Sequence, residues 1–114
     1  MAMGFEEKRL TPRIRLHSPL RYQICGEREF NNTLSDDISM GGVGFLNNRF
    51  LAPKTTLNLE INVLSRVLRP LGMITWSSPL PHSDNYRLGV EFLEFNPQEK
   101  NYLKDYIDMR LGKL

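Results

Sequence analysis

"LNLEINV" (Leu57 to Val63) alternates without a break: Leu57, Leu59, Ile61 and Val63 on one side, Asn58, Glu60 and Asn62 on the other. A period of two sends successive side chains to opposite faces of an extended chain and does not fit the 3.6-residue repeat of a helix. The segment therefore predicts a strand with one face in a core and one in water. The neighbouring sequence reads in the same way. Leu20 to Ile24 forms a second strand pattern, broken by Gly26 among Glu27, Arg28 and Glu29, with Phe30 to Leu34 returning as its hairpin partner. A turn near Ser65 and Arg66 leads into Val67 to Trp76, where Pro70 and Gly72 mark an edge or a bulge. "SSPLPHSDN" (Ser77 to Asn85) is a loop by composition. "YRLGVEFLEF" then gives a further strand, with Leu88, Val90 and Phe92 on one face.

The last segment, "NPQEKNYLKDYIDMRLG", changes period. Asn96 is placed as an N-cap, Pro97 at the first helical position and Glu99 at the third, a capping-box spacing. Tyr102, Leu103, Tyr106, Ile107 and Leu111 recur at three- and four-residue intervals as one apolar stripe, and Gly112 is placed to end the helix. The outline is a mainly all-β chain of six or seven antiparallel strands followed by one amphipathic helix. A barrel or sandwich with that helix packed across it is the expected fold. No strand–helix alternation is present, which excludes a doubly wound sheet.

The bulk numbers agree. A chain of 114 residues makes one domain. A formal charge of +2 favours an anionic partner only weakly. Cys25 is the single cysteine, so an internal disulfide and a four-cysteine zinc site are both excluded; next to a hairpin turn it reads as a small buried residue. His17 and His82 stand in unrelated contexts and give a metal site no support. No apolar run approaches the ~20 residues that span a bilayer, and no signal-peptide core follows Met1, so the expectation is a cytoplasmic protein without membrane insertion.

Two clusters carry chemistry. In "LSDDISMGGVGFL" (Leu34 to Leu46), Asp37, Ser39 and Gly42 stand in D-x-S-x-x-G spacing. An ionised carboxylate only accepts hydrogen bonds, which suits a ligand edge with two N–H groups, such as the N1/N2 edge of guanine. A serine hydroxyl donates to an oxygen while bonding the local backbone. Gly41 and Gly42 allow close approach to bare amides, which can form an anion-binding concavity. The same residues also suit an ordinary strand-to-strand turn. Upstream, in "EKRLTPRIRL", Arg9 and Arg13 are four apart, with Arg15 two further on. Pro12 disfavours helix at Thr11, so the segment is expected to be extended or turned. An arginine fork can grip phosphate or a guanine edge and can stack on a base. Taken alone, this pattern also fits a solvated basic arm.

The two clusters together, in the order "KRLTPR", "DDISMGGVGF", "ITW", "YRLGVEFLEF" and a terminal helix, resemble the PilZ domain family over most of the chain. That resemblance implies a six-stranded antiparallel barrel with a C-terminal helix, preceded by an arm over residues 1–16, with the barrel and helix over 17–114. It also implies a receptor for cyclic di-GMP, a bacterial second messenger, with no enzymatic activity and no cofactor beyond that ligand. Asp37 and Ser39 would face a guanine, with Gly41 and Gly42 leaving the backbone open to it, and Arg9 and Arg13 would close over the ligand. Lys8 resembles members that take up a stacked pair of ligands, although lysine lacks arginine's flat face; Arg15 and Trp76 are accessory candidates. Trp76 could stack on a base or pack as a core or rim residue, and Arg66, Arg69 and Arg87 could form a positive rim or stay solvated on strand faces.

Other function classes are weaker. Ser39 is in no G-x-S-x-G elbow and the glycines precede no helix, which speaks against catalysis. A small barrel that binds single-stranded nucleic acid would need basic residues interleaved with aromatics, which this nearly balanced sequence lacks. A PilZ-fold adaptor that binds only a protein partner is the remaining alternative. Both arginines and the whole D-x-S-x-x-G are present, which favours a working nucleotide site together with a downstream protein partner.

Overall fold

The computed structural model describes residues 11–113. Its strands are β1 (Ile14–Arg15), β2 (Pro19–Ile24), β3 (Asn31–Ile38), β4 (Gly42–Asn47), β5 (Thr56–Val63), β6 (Arg66–Leu68), β7 (Leu71–Pro79) and β8 (Tyr86–Glu94), followed by helix α1 (Pro97–Arg110). Six of them close a ring in the order β3–β2–β5–β7–β8–β4, with β4 pairing back to β3; every pairing is antiparallel. Closure leaves the six ring strands without a free edge. The two short strands are additions: β1 lies on β3 beyond the end of β2, and β6 folds back on β5.

The alternating pattern places the core as expected. Leu57, Leu59, Ile61 and Val63 of β5 are all buried, together with Leu20 and Tyr22 of β2, Val43 and Phe45 of β4, Ile74 of β7 and Leu88 and Val90 of β8. The Tyr22 and Phe45 rings meet at 5.4 Å, and the Tyr22 hydroxyl donates to Asn47 Oδ1 at 3.0 Å, so the aromatic body is buried with its polar end satisfied. Gly26 turns the β2–β3 hairpin at φ 95°, a conformation that favours glycine.

Three features of the strands and turns differ from the sequence expectation. The stretch Val67 to Trp76 is two strands, not one, because Pro70 offers no amide to a ladder and the chain corners between β6 and β7. Ser77 to Pro79 continue β7 rather than opening the loop, paired with Leu88, Arg87 and Tyr86. Cys25 is exposed, not buried, at the mouth of the hairpin.

Helix α1 starts as its sequence dictates. Asn96 Oδ1 accepts from the amides of Gln98 at 2.8 Å and Glu99 at 3.3 Å. Glu99 does not reach back to the cap; its Oε1 accepts from the Arg69 amide at 2.8 Å, satisfying the corner between β6 and β7. Leu103, Tyr106 and Ile107 are buried, and the Tyr102 hydroxyl donates to the Val63 carbonyl at 3.2 Å. The helix therefore serves as a lid on the barrel core, and Gly112, at φ 75°, ends it. Leu111 falls outside the buried stripe. Replacing fully buried Leu103 by Ala should cost about 2–5 kcal/mol, and denaturant unfolding followed by circular dichroism measures it; a cost below about 1 kcal/mol would mean that α1 does not cap the core.

Candidate functional site

A half-open cleft of about 650 Å³ lies on the outer wall of the barrel, across β3, β4, β8 and β7. Its lining includes Arg13, Asp36, Asp37, Ser39, Gly41, Gly42, Trp76 and Arg87. The register explains why these residues meet. Asp37 pairs with Gly44, Gly44 with Gly89, and Gly89 with Trp76, so one row crosses four strands. Paired residues of antiparallel strands share a face. Two glycines thus make a floor, with a carboxylate at one end and an indole at the other.

Both ends lean over that floor. A Cβ on Gly44 would stand 2.6 Å from Asp37 Oδ1, and a Cβ on Gly89 would collide with the Trp76 indole. Gly42 is needed for another reason: a Cβ there would strike the Val90 carbonyl of the adjacent strand. Its lack of a side chain lets β4 approach β8, so it shapes the cleft through strand packing.

Each wall contains a β-bulge. Phe45 and Val43 face the core, so their partners Ser35 and Ile38 do as well; between them the register slips by one residue. Asp36 and Asp37 consequently both turn to the cleft, where strict alternation would have sent one of them inward. On β7 the register slips between Ile74 and Trp76, and Thr75 and Trp76 are both exposed and both line the cleft. Trp76 is therefore not a core residue; 40% of it is exposed.

The charges are arranged in pairs. Arg13 meets Asp37 through Nε to Oδ2 and Nη2 to Oδ1, both at 3.4 Å. These are long for a charged fork, whose N–H···O distances are usually ~2.7–2.9 Å. Asp36 is held far more tightly. Arg15 Nη1 donates to its Oδ1 at 3.1 Å, and Arg87 Nη2 approaches its Oδ2 at 2.6 Å. The Asp36 side chain is only 11% exposed, so its charge is compensated from β1 on one side and β8 on the other.

The bend between β3 and β4 is self-supporting. The Ser39 amide donates to the Gly42 carbonyl at 2.9 Å, and Ser39 Oγ accepts from the Gly41 amide at 3.2 Å. Ser39 is 1% exposed. The Gly41 carbonyl accepts from the Phe92 amide at 2.9 Å, which ties the bend to β8.

The structure thus brings Arg13, Asp37, Ser39, Gly41, Gly42 and Trp76 to one cleft, with Arg15 on its border through Asp36. Arg9 and Lys8 lie outside the described residues. Arg87, which the sequence offered as part of a positive rim, also lines it, as do Asp36, Gly44 and Gly89, which the sequence reading did not assign. The signal for two was present: in "YRLGVEF" the alternation that buries Leu88 and Val90 must turn Arg87, Gly89 and Glu91 the other way. Arg66 and Arg69 lie elsewhere, Arg66 over the Tyr102 ring at 5.0 Å and Arg69 beside Glu60 at 3.7 Å. Among the described residues no group of three or more His, Cys, Asp or Glu could hold a metal ion, and no helix is long and apolar enough to cross a membrane.

A closed barrel with a polar cleft between two bulged strands has the architecture of a binding domain. The chain belongs to the PilZ domain family, whose model matches residues 7–109. A solved Bacillus subtilis inhibitor of motility (MotI/DgrA) superposes with a TM-score of 0.76 at 20% identity, over 90% of this chain and 51% of that one. Escherichia coli YcgR in complex with c-di-GMP gives 0.72 at 20% identity, over 90% and 46%. An Aquifex aeolicus protein of uncharacterized role is 26% identical over 105 residues, 91% of this chain and 50% of the relative. The chain thus spans about half the length of these three proteins.

Trp76 is the only tryptophan, so its emission reports on the cleft directly. Gly89→Ala should displace the indole and shift its emission to longer wavelength while the far-ultraviolet circular dichroism stays that of the parent. Unshifted emission in a folded variant would contradict the contact between Trp76 and Gly89.

Proposed function

We propose that this chain is a receptor for cyclic di-GMP of bacterial second-messenger signalling, and that the cleft is its binding site. The observation that carries this reading is the meeting of the Arg13 guanidinium with the Asp37 carboxylate above the Ser39–Gly42 bend, residues 24 to 29 positions apart in the sequence. The volume of about 650 Å³ falls within the ~300–1,000 Å³ of ordinary ligand pockets. The solved E. coli YcgR and Klebsiella MrkH complexes with c-di-GMP share the fold.

The chemistry follows from the groups present. The ligand has two guanines and two phosphodiester charges. Asp37 accepts from the N1/N2 edge of one guanine, and Gly41 and Gly42, which carry no side chains, let the ligand approach the backbone of the bend that Ser39 holds. Arg13, together with Arg9 from the preceding arm, supplies charge and a flat surface for stacking. Trp76 offers a second stacking face at the far end of the glycine floor. The long pairing of Arg13 with Asp37 is readily exchanged for ligand contacts, since an exposed ion pair contributes only ~0–1 kcal/mol.

The signal passes through the arm. Ile14 and Leu16 are buried, so β1 anchors the arm to the barrel and Arg13 stands where it leaves. Ligand draws the residues before Ile14 over the cleft, which creates a new surface for a downstream protein partner. An adaptor role without nucleotide remains the competing function, and the titration decides between them.

Calorimetric titration of the chain with cyclic di-GMP, GTP and linear pGpG should show binding of the cyclic dinucleotide ahead of the other two. Arg9→Ala and Arg13→Ala should each weaken binding about 10–100-fold, the equivalent of one charged hydrogen bond of ~1.5–3 kcal/mol, with little change in melting temperature. Unchanged affinity in both variants would remove the arm from the site. Hydrogen exchange tests the coupling separately: the amides before Ile14 should gain protection with ligand, and equal protection in both states would refute the arm movement.

A further inference from the structure

We infer that Arg87 is a further ligand-binding residue: held in place by Asp36, it is a fixed anchor for a phosphodiester on the side of the glycine floor opposite Arg13. The inference rests on the cyclic di-GMP reading above and adds to it a residue on β8.

Three consecutive outward positions of β8 face the cleft. Arg87 pairs with Leu46 and Ser78, Gly89 with Gly44 and Trp76, and Glu91 with Gly42 and Met73. Along the strand the cleft therefore presents a cation, a bare floor and an anion. No cation pairs with Glu91 among the described residues, so the positive charge that β8 itself offers the cleft stands at Arg87. Arg13 precedes Ile14, which pairs with Ile38, and so enters from the Ser39 end. The two arginines thus stand on either side of the row from Asp37 to Trp76.

The pairing of each arginine indicates its role. Arg13 engages its carboxylate at 3.4 Å and is half exposed, a contact that ligand can replace. Arg87 engages Asp36 at 2.6 Å, and that carboxylate is 11% exposed and shared with Arg15. A guanidinium has five N–H groups. The ion pair with Asp36 engages one terminal nitrogen, Nη2, and the side chain remains 46% exposed in the cleft. A cation whose rotamer is already fixed loses less conformational entropy on binding than a free one. Asp36 acts through Arg87 and is a positioning residue.

Five chains should be titrated with cyclic di-GMP: the parent, Arg87→Ala, Arg87→Gln, Asp36→Asn and the Arg87→Ala/Asp36→Asn double variant. The parent should bind, and Arg87→Ala should weaken binding at least about 10-fold, the loss of one charged contact. Arg15 still covers Asp36 in that variant, and Arg87→Gln repeats the test with the stem retained. Asp36→Asn frees the guanidinium without removing it and should cost less than Arg87→Ala. The double variant should stay as weak as Arg87→Ala, because the missing ligand contact is not restored. Recovery of affinity in the double variant would overturn the inference, since the loss would then come from an unbalanced Asp36 charge. Parent-like affinity in Arg87→Ala would also overturn it and leave the receptor reading intact. A parent that binds no cyclic di-GMP would remove both.

Discussion

Two breaks in strand alternation, at Asp36 on β3 and at Thr75 on β7, make this barrel wall a site. A regular strand offers the outside only every second residue. Each bulge adds one more outward side chain, so that Asp36 joins Asp37 on one wall and Thr75 joins Trp76 on the other. The strands between them contribute glycines at the facing positions. The result is a trough with chemically different walls, built on the strands themselves. The acidic pair beside the glycine-rich bend has this explanation: Ser39 to Gly41 turn the chain, and the carboxylates before them belong to a bulged strand.

The bulges are held in place by the barrel closure. Phe45 and Val43 are fully buried on one side of β4, which fixes Ser35 and Ile38 on the core side of β3. A slip of one residue would exchange the two faces and expose that core. The outward direction of Asp36 and Asp37 is thus enforced by apolar burial several ångströms away. The compensation of Asp36 by two guanidiniums then makes a nearly buried carboxylate tolerable at the site.

Charge is distributed asymmetrically in the cleft. The pairs Arg13–Asp37 and Arg15–Asp36–Arg87 draw on β1, β3 and β8, so opposite charges tie the arm, the bulge and the far strand together. The pairings are unequal, at 3.1 and 2.6 Å on Asp36 and 3.4 Å on Asp37. Helix α1 lies outside this arrangement, covering the core with Leu103 and Ile107 and supporting the β6–β7 corner through Glu99.

The sequence by itself determined most of the strands and the terminal helix with its Asn96 cap and Gly112 stop, and it put forward Arg13, Asp37, Ser39 and Gly42 as candidates. Period, capping and spacing are local properties, and each is visible within about ten residues of chain. The order "KRLTPR", "DDISMGGVGF" and "YRLGVEFLEF" was equally legible, and so was the family. Only the tertiary structure decided that Asp36 faces outward, that Trp76 lies over Gly89 and that Arg87 reaches across β4 to Asp36. Those facts depend on the register between strands distant in sequence, and on where that register slips. No segment read alone carries that information, because a bulge is fixed by what the opposite strand must bury.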